Sequence, residues 1–308
     1  MRRSILEGGV HRFPSLITTV LLIICVSKPG YTQDLFFDAK GVRLRYVEQG
    51  KGEPIVLLHG VGGNLQAWFD AGVFQNLAAD YRVIAMDARG HGKSAKPHDP
   101  KQYGSQMALD VVRLLDHLSI KKAHIVGYSM GGNTTSQLLT MQPERFLTAT
   151  LLAGSGRFKW TKEDGATAEL EASEREKECV SRTLIFRLSP AGGPKPSEED
   201  IKQRSLACFA DPNQDRFAIA ALTRARPDTF IPPAKAVAVK VPTLGIVGNL
   251  DGADVLSGFQ TLKNLRPNIK LVIVDGATHA GDRGVMRRAE FISALREFLI
   301  AHRQTSQR

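Results

Sequence analysis

Short apolar runs recur along the chain and are separated by helix-patterned stretches, and this rhythm restricts the fold more than any other feature. The runs are residues 54–58 (PIVLL), 83–86 (VIAM), 124–126 (HIV), 149–152 (ATLL), 244–247 (LGIV) and 271–274 (LVIV). Runs so short, with no polar alternation, suit strands covered on both faces. Residues 42–48 (VRLRYVE) alternate apolar and polar side chains instead, as a half-exposed strand does. Residues 106–118 and 131–141 carry helical patterns between the runs. Buried strands alternating with helices predict an α/β fold with a mostly parallel central sheet flanked by helices. The 308 residues, 43% of them hydrophobic, suffice for a large core without a staple of disulfides or metal.

The rhythm breaks between residues 155 and 240. Residues 163–180 read as a charged helix with acids and bases interleaved, a pattern that also suits a solvated surface helix. Residues 190–196 (PAGGPKP) form a linker or sharp turn, and Pro232-Pro233 punctuates the exit. The expected organisation is a core of residues 33–154 and 241–308, with residues 155–240 as a mostly helical insertion over the sheet. No internal repeat and no low-complexity segment interrupts it.

Residues 1–32 read as a signal peptide or N-terminal anchor. Arg2, Arg3 and Arg12 precede the apolar run 16–26 (LITTVLLIICV), which ends before Ser27, Lys28, Pro29 and Gly30. That run is too short to span a membrane, and the positive start and small-residue exit are those of an export signal. Cys25, at the end of the run, has the place of a lipoprotein cysteine, although Ile24 before it is large for that signal. The expectation is an exported chain, periplasmic, secreted or envelope-anchored, with association with a membrane through the N-terminus left open. Cys179 and Cys208 fall together in the insertion, where a disulfide and two buried thiols are both open readings. The net charge of +10 is spread along the chain with acids between the bases, so it reads as a solvated surface. No basic stripe interleaved with aromatics suggests nucleic acid, and no His/Cys spacing resembles a zinc site.

The chemistry concentrates at Gly127-Tyr128-Ser129-Met130-Gly131-Gly132, between the strand at 123–126 and a helix. A G-x-S-x-G at a strand-to-helix turn is a nucleophile elbow, whose glycines allow the tight turn that lifts the serine oxygen above the sheet. A serine hydroxyl needs an adjacent base, and with this motif the partners follow in the order acid, then histidine. His279 comes just past the run 270–274, where open α/β sheets place their sites. Asp251, just past the run 244–247, is the expected acid that fixes the tautomer of His279; Asp254 and Asp282 are its rivals. An oxyanion hole needs two backbone N–H groups, and Met130 and Val61 are the expected donors, Val61 from the loop His59-Gly60-Val61-Gly62-Gly63. His59 reads as a residue that holds this loop rather than as a base. Trp68, Phe69 and Trp160 each fit either a pocket wall or ordinary packing, and Tyr128 supports the turn.

These segments, together with Asp87-Ala88-Arg89-Gly90-His91-Gly92-Lys93-Ser94, resemble the α/β-hydrolase superfamily over nearly all of residues 35–302. The octapeptide looks like the D-x-R-G-x-G-x-S turn of its esterase, C–C hydrolase, enol-lactonase and haloperoxidase-like branches, which implies structural roles for Asp87 and Arg89. The epoxide hydrolase and haloalkane dehalogenase branches carry aspartate at the elbow; Ser129 here argues against both. By the same resemblance the insertion corresponds to the family's cap domain, the part that sets substrate choice.

The expected activity is that of a serine hydrolase, with carboxylic ester hydrolysis first. Lactonase and C–C bond hydrolase chemistry use the same parts, and a non-catalytic hydrolase-fold ligand receptor is the reading from another class. The expected partner is a small-molecule ester or related acyl substrate. Neither a cofactor nor a metal is implied, and nothing in the sequence sets an oligomeric state.

Overall fold

The computed structural model describes residues 33–190 and 192–304. The expected signal peptide or anchor at residues 1–32, with Cys25, lies outside the described residues. Eight strands form one sheet: β1 (Leu35–Asp38), β2 (Arg43–Gln49), β3 (Pro54–Leu58), β4 (Arg82–Met86), β5 (Ala123–Tyr128), β6 (Phe146–Leu152), β7 (Thr243–Gly248) and β8 (Lys270–Val274). Their order across the sheet is β1-β2-β4-β3-β5-β6-β7-β8. The pairs from β4 through β8 are parallel, while β1–β2 and β2–β4 are antiparallel.

The core helices are α1 (Gln66–Asp70), α2 (Val73–Ala78), α3 (Ser105–His117) and α4 (Met130–Met141), with two more after the insertion. Between β6 and β7 lie α5 (Lys162–Glu178), α6 (Arg182–Arg187), α7 (Glu198–Ala210), α8 (Arg216–Arg224) and α9 (Pro233–Ala238). The chain closes with α10 (Ala253–Leu265) and α11 (Ala289–Ala301). Among the described residues no helix is long and apolar enough to cross a membrane.

The continuous apolar runs have the predicted cause. Along β3, Ile55 and Leu57 face one core with Trp68, Phe74, Phe291 and Leu295, while Val56 and Leu58 face the other with Val111, Leu114 and Leu138. Each such side chain contributes about 1.5–3 kcal/mol by leaving water, and the sheet can collect that only with helices on both faces. Trp68 is fully buried in the first core, and Phe69 stacks on Phe74 with ring centroids 4.1 Å apart. Both aromatics therefore serve helix packing.

Buried polar groups hold the loops at the carboxyl ends of β3 and β4. Asp87 accepts from the backbone N–H of Leu65 at 2.8 Å and of Lys93 at 2.9 Å, and pairs with Arg45 at 3.1 Å. Arg89 places its guanidinium fork on Asp110, at 2.6 Å for both bonds. The ring of His59 donates from Nδ1 to the Gly60 carbonyl at 2.8 Å and accepts at Nε2 from the N–H of Ala88 at 3.1 Å. One ring thus ties the loop after β3 to the loop after β4. His91 meets it edge-on, the centroids 5.0 Å apart, and bonds the Arg89 carbonyl through Nδ1 at 3.0 Å.

The helices of the insertion carry their own fastenings. Thr161 caps α5 and Ser197 caps α7, each through a reciprocal capping box with an aspartate. A disulfide joins Cys179, just past α5, to Cys208 in α7, with the Cα atoms 5.9 Å apart. Gln214 donates to the Gly62 carbonyl at 2.8 Å, and Asp228 accepts from the N–H of Ser105 at 2.7 Å, so the insertion is tied to the core on two sides.

Closing a loop across 29 residues limits the unfolded chain and stabilises the fold by about 2–4 kcal/mol. Alkylation of denatured, unreduced protein is expected to leave Cys179 and Cys208 unlabelled, and a Cys179→Ser variant to unfold at lower denaturant. Labelling of both thiols before reduction would remove the bridge from the account.

Burial holds both His59 and His91 neutral and pushes their pKa values down, His91 strongly. Below the ordinary imidazole value of about 6.5 the unfolded chain therefore takes up protons that the folded chain refuses, and stability falls with pH. The melting temperature is expected to drop more steeply from pH 6.5 to pH 5 in the native chain than in a His91→Gln variant. Parallel curves would show that His91 contributes nothing to acid lability.

Candidate active site

Ser129 stands alone between the end of β5 and the start of α4. Its backbone, at φ 53° and ψ −110°, lies in a region that L residues seldom occupy. The turn persists because its neighbours leave it no other course. The N–H of Ser129 donates to the Leu152 carbonyl of β6 at 2.8 Å. A Cβ on Gly131 would sit 2.3 Å from the Leu58 carbonyl oxygen of β3, and one on Gly154 would sit 2.1 Å from the carbonyl oxygen of Ser129 itself. Glycine at both positions lets three strand ends crowd round one serine.

His279 arrives from the loop after β8, and Asp251 from the loop after β7. Asn249 donates its N–H to the Val274 carbonyl at 3.1 Å, and Leu250 to the Ala277 carbonyl at 3.0 Å, so the two loops are laced together. The result is a continuous chain of hydrogen-bonding atoms. His279 Nε2 is 2.9 Å from Ser129 Oγ, and His279 Nδ1 is 2.9 and 3.1 Å from the two Asp251 oxygens. Asp251 is buried and also accepts from the N–H of Gly252 at 2.7 Å. Its acceptors are therefore matched by donors, as a buried carboxylate requires. With Nδ1–H donating to Asp251, Nε2 presents its lone pair to the serine hydroxyl.

Neither rival carboxylate bonds the ring of His279. Asp254 pairs with Arg187 at 2.9 Å, and Asp282 is exposed in the loop beyond His279. Tyr128 donates its hydroxyl to the His279 carbonyl at 2.7 Å and so steadies the histidine's backbone; burial pushes the phenol's pKa up and keeps it neutral.

Val61 and Met130 line the same pocket as Ser129 and His279. Among the described residues neither of their N–H groups donates to a protein acceptor, which leaves both available to an oxygen above Ser129. Two spaces meet at the serine. An inner pocket of about 140 Å³ runs past Met130 and Asn133 toward Leu184, Leu222 and Val255. An outer groove of about 1010 Å³ lies between residues 278–283 and the segment around α6 and α7. Trp160 lines neither space. Among the described residues no group of three or more His, Cys, Asp or Glu side chains is arranged to hold a metal ion.

Sequence reasoning missed the charged wall of the inner pocket. Arg157, Arg187 and Arg226 all line it, and Glu171, fully buried in α5, pairs with Arg187 and with Arg226. No local motif announces that cluster, because its members come from separate elements of the insertion.

Comparison with known proteins agrees with this architecture. A sequence profile of the α/β-hydrolase fold matches residues 53–281. A dihydrolipoyllysine-residue acetyltransferase component of an acetoin cleaving system from Cupriavidus necator is 39% identical over 125 residues, which is 39% of this chain and 32% of that protein. The chain thus spans about a third of the length of that relative. A pimeloyl-[acyl-carrier protein] methyl ester esterase from Aliivibrio fischeri is 27% identical over 84% of this chain and 98% of its own. Among solved structures, Est816, described as an N-acyl homoserine lactone degrading enzyme, superposes with a TM-score of 0.68 at 26% identity, covering 86% of this chain and 100% of that one. The sheet order, the serine turn after β5 and the profile match over most of the length have one meaning: this chain belongs to the α/β-hydrolase fold family.

Proposed function

We propose that the chain is a serine hydrolase that cleaves carboxylic esters through an acyl-enzyme on Ser129. The observation that carries this reading is the 2.9 Å contact from His279 Nε2 to Ser129 Oγ, continued from Nδ1 to Asp251. In the proposed reaction His279 takes the hydroxyl proton as Ser129 Oγ attacks the ester carbonyl. Asp251 holds the ring in the required tautomer and stabilises the imidazolium that forms. The oxyanion sits on the N–H groups of Val61 and Met130, an arrangement worth about 3–4 kcal/mol per donor in comparable sites. The alcohol leaves with the proton from His279. Water then attacks the acyl-enzyme, with His279 again as base.

The small inner pocket favours short acyl groups, and the outer groove gives the remainder of a substrate room. A lactone is an internal ester, so the same steps open its ring without losing a fragment, and the likeness to Est816 supports that second reading. The disulfide between Cys179 and Cys208 supports action in an oxidising compartment outside the cytoplasm, in keeping with the export signal read at residues 1–32.

A screen of p-nitrophenyl esters from acetate to palmitate tests the proposal, run beside Ser129→Ala. Turnover is expected to peak among the short esters and to fall about 10⁴-fold or more in the variant. A fluorophosphonate is expected to label Ser129 in the native chain. Undiminished turnover in the variant would overturn the assignment of the nucleophile.

A further inference from the structure

We propose that the inner pocket is an anion subsite, built for an acyl group that ends in a carboxylate, with Arg157 as the residue that receives it. The inference rests on the acyl-enzyme reading of Ser129 and specifies which acyl group that serine takes.

The argument is one of charge balance. Three guanidinium groups line this pocket, from Arg157, Arg187 and Arg226. Two carboxylates face them. Glu171 is consumed by two of the arginines, one oxygen on Arg187 and the other 2.5 Å from Arg226 Nη1. Asp254 lies 2.9 Å from Arg187 Nε. Arg157 is left over. Among the described residues its side chain makes no ion pair and no hydrogen bond, and its Nε is buried without a partner. Burial and the neighbouring Arg226 and Arg187 depress its pKa to about 9 against the weaker pull of Glu171 and Asp164, neither of which it contacts in an ion pair, so it stays charged at neutral pH.

Arg157 is half-buried, so its guanidinium has given up part of its water without gaining a hydrogen-bonded counterion, and that is costly. Its position is nevertheless fixed. The Arg157 carbonyl accepts from the N–H of Ile231 at 2.7 Å, and Gly156, at φ 109°, turns the chain just before it. A Cβ on Gly156 would lie 2.5 Å from Ser136 Oγ, so the turn is held against α4, the helix that Ser129 opens. The same pocket wall therefore carries the nucleophile's helix and an unmatched cation. The rest of the lining includes Met107, Leu184, Leu188 and Leu222, which suits the methylene stem of a short dicarboxylic half-ester. A planar carboxylate matches the guanidinium fork in two parallel hydrogen bonds.

Two p-nitrophenyl esters of equal chain length isolate the effect: the monoester of glutaric acid and the ester of pentanoic acid. They share the leaving group and differ in a terminal carboxylate. The native chain is expected to favour the glutarate monoester in kcat/KM by about tenfold or more, chiefly through KM. Arg157→Gln is expected to bring that ratio near one. Arg157→Lys keeps the charge but loses the fork, and is expected to lower the ratio about threefold, a readout that survives if the Gln variant does not fold. A native ratio near one, or the same ratio in all three proteins, would overturn the subsite while leaving the esterase reading intact.

Calorimetry on the Ser129→Ala protein separates the two proposals, since it needs no turnover. Glutarate is expected to bind there more tightly than pentanoate, and Arg157→Gln to weaken glutarate about tenfold. Such binding, found together with a native chain that turns over neither ester, would uphold the subsite and overturn the acyl-enzyme. Equal affinity for the two acids would overturn the subsite.

Discussion

The backbone turn at Ser129 is the constraint to which the rest of the molecule answers. A residue held at φ 53° and ψ −110° costs about 1–3 kcal/mol and survives only where its surroundings over-determine it. Those surroundings are the ends of β3, β5 and β6 and the first turn of α4, which press on one another through Leu58, Leu152, Gly154 and Gly131. Such an approach is possible only if the three strands are neighbours, and they are, in the order β3-β5-β6. Their fully buried side chains on two faces supply the stabilisation that offsets the strain. The serine oxygen is thus placed by the whole sheet, and moving any of the three strands would release it.

The partners of Ser129 are held by a different device. Here the lacing of the loops after β7 and β8 does the positioning, with Gly248 packed so closely that a Cβ would lie 2.1 Å from the Ala277 carbonyl oxygen. Asp251 sits at the bottom of that lacing, buried, with the N–H of Gly252 and the ring of His279 as its donors. Removing the histidine would leave a buried charge short of a partner, which is why the acid and the ring depend on each other energetically as well as geometrically.

The sheet was legible in the sequence because strands buried on both faces leave uninterrupted apolar runs. β1 left no such mark: it is a four-residue strand of mixed exposure, paired among the described residues to β2 alone. The elbow was legible because its glycines answer a steric demand that no other residue meets. Asp251 and His279 could be named from their places just past two apolar runs, whereas the distances that distinguish Asp251 from Asp254 and Asp282 belong to the folded chain alone. The insertion was least legible. The interleaved charges of α5 suggest a solvated helix, yet α5 packs against α8 and buries Glu171 and Arg175 beside Ala168 and Ala172. Charge patterning reports what a helix could do in water; it does not see that arginines at 187 and 226 will come to meet the glutamate at 171.

That cluster also divides the labour of the molecule. Ser129, Asp251, His279 and the N–H groups of Val61 and Met130, unpaired among the described residues, all come from just beyond the ends of core strands, where position is fixed to within a hydrogen bond. One wall of the inner pocket comes from the helices between β6 and β7, through Leu184, Arg187, Leu222 and Arg226. Replacing those helices would change what the pocket accepts and leave the serine where it is, because the elbow's restraints come from β3, β5 and β6. Arg157 lies at the junction, one residue past the turn that leaves the sheet and hydrogen-bonded through its carbonyl to the strand-like segment that leads back to it. A cation so placed belongs to both parts: its backbone shares the precision of the sheet, and its side chain shares the chemistry of the insertion. The fold could have matched it with a third carboxylate, as it matched Arg187 with both Glu171 and Asp254. Left without a paired carboxylate in the pocket of the serine, its half-buried guanidinium is the group there with donors to spare for an anion.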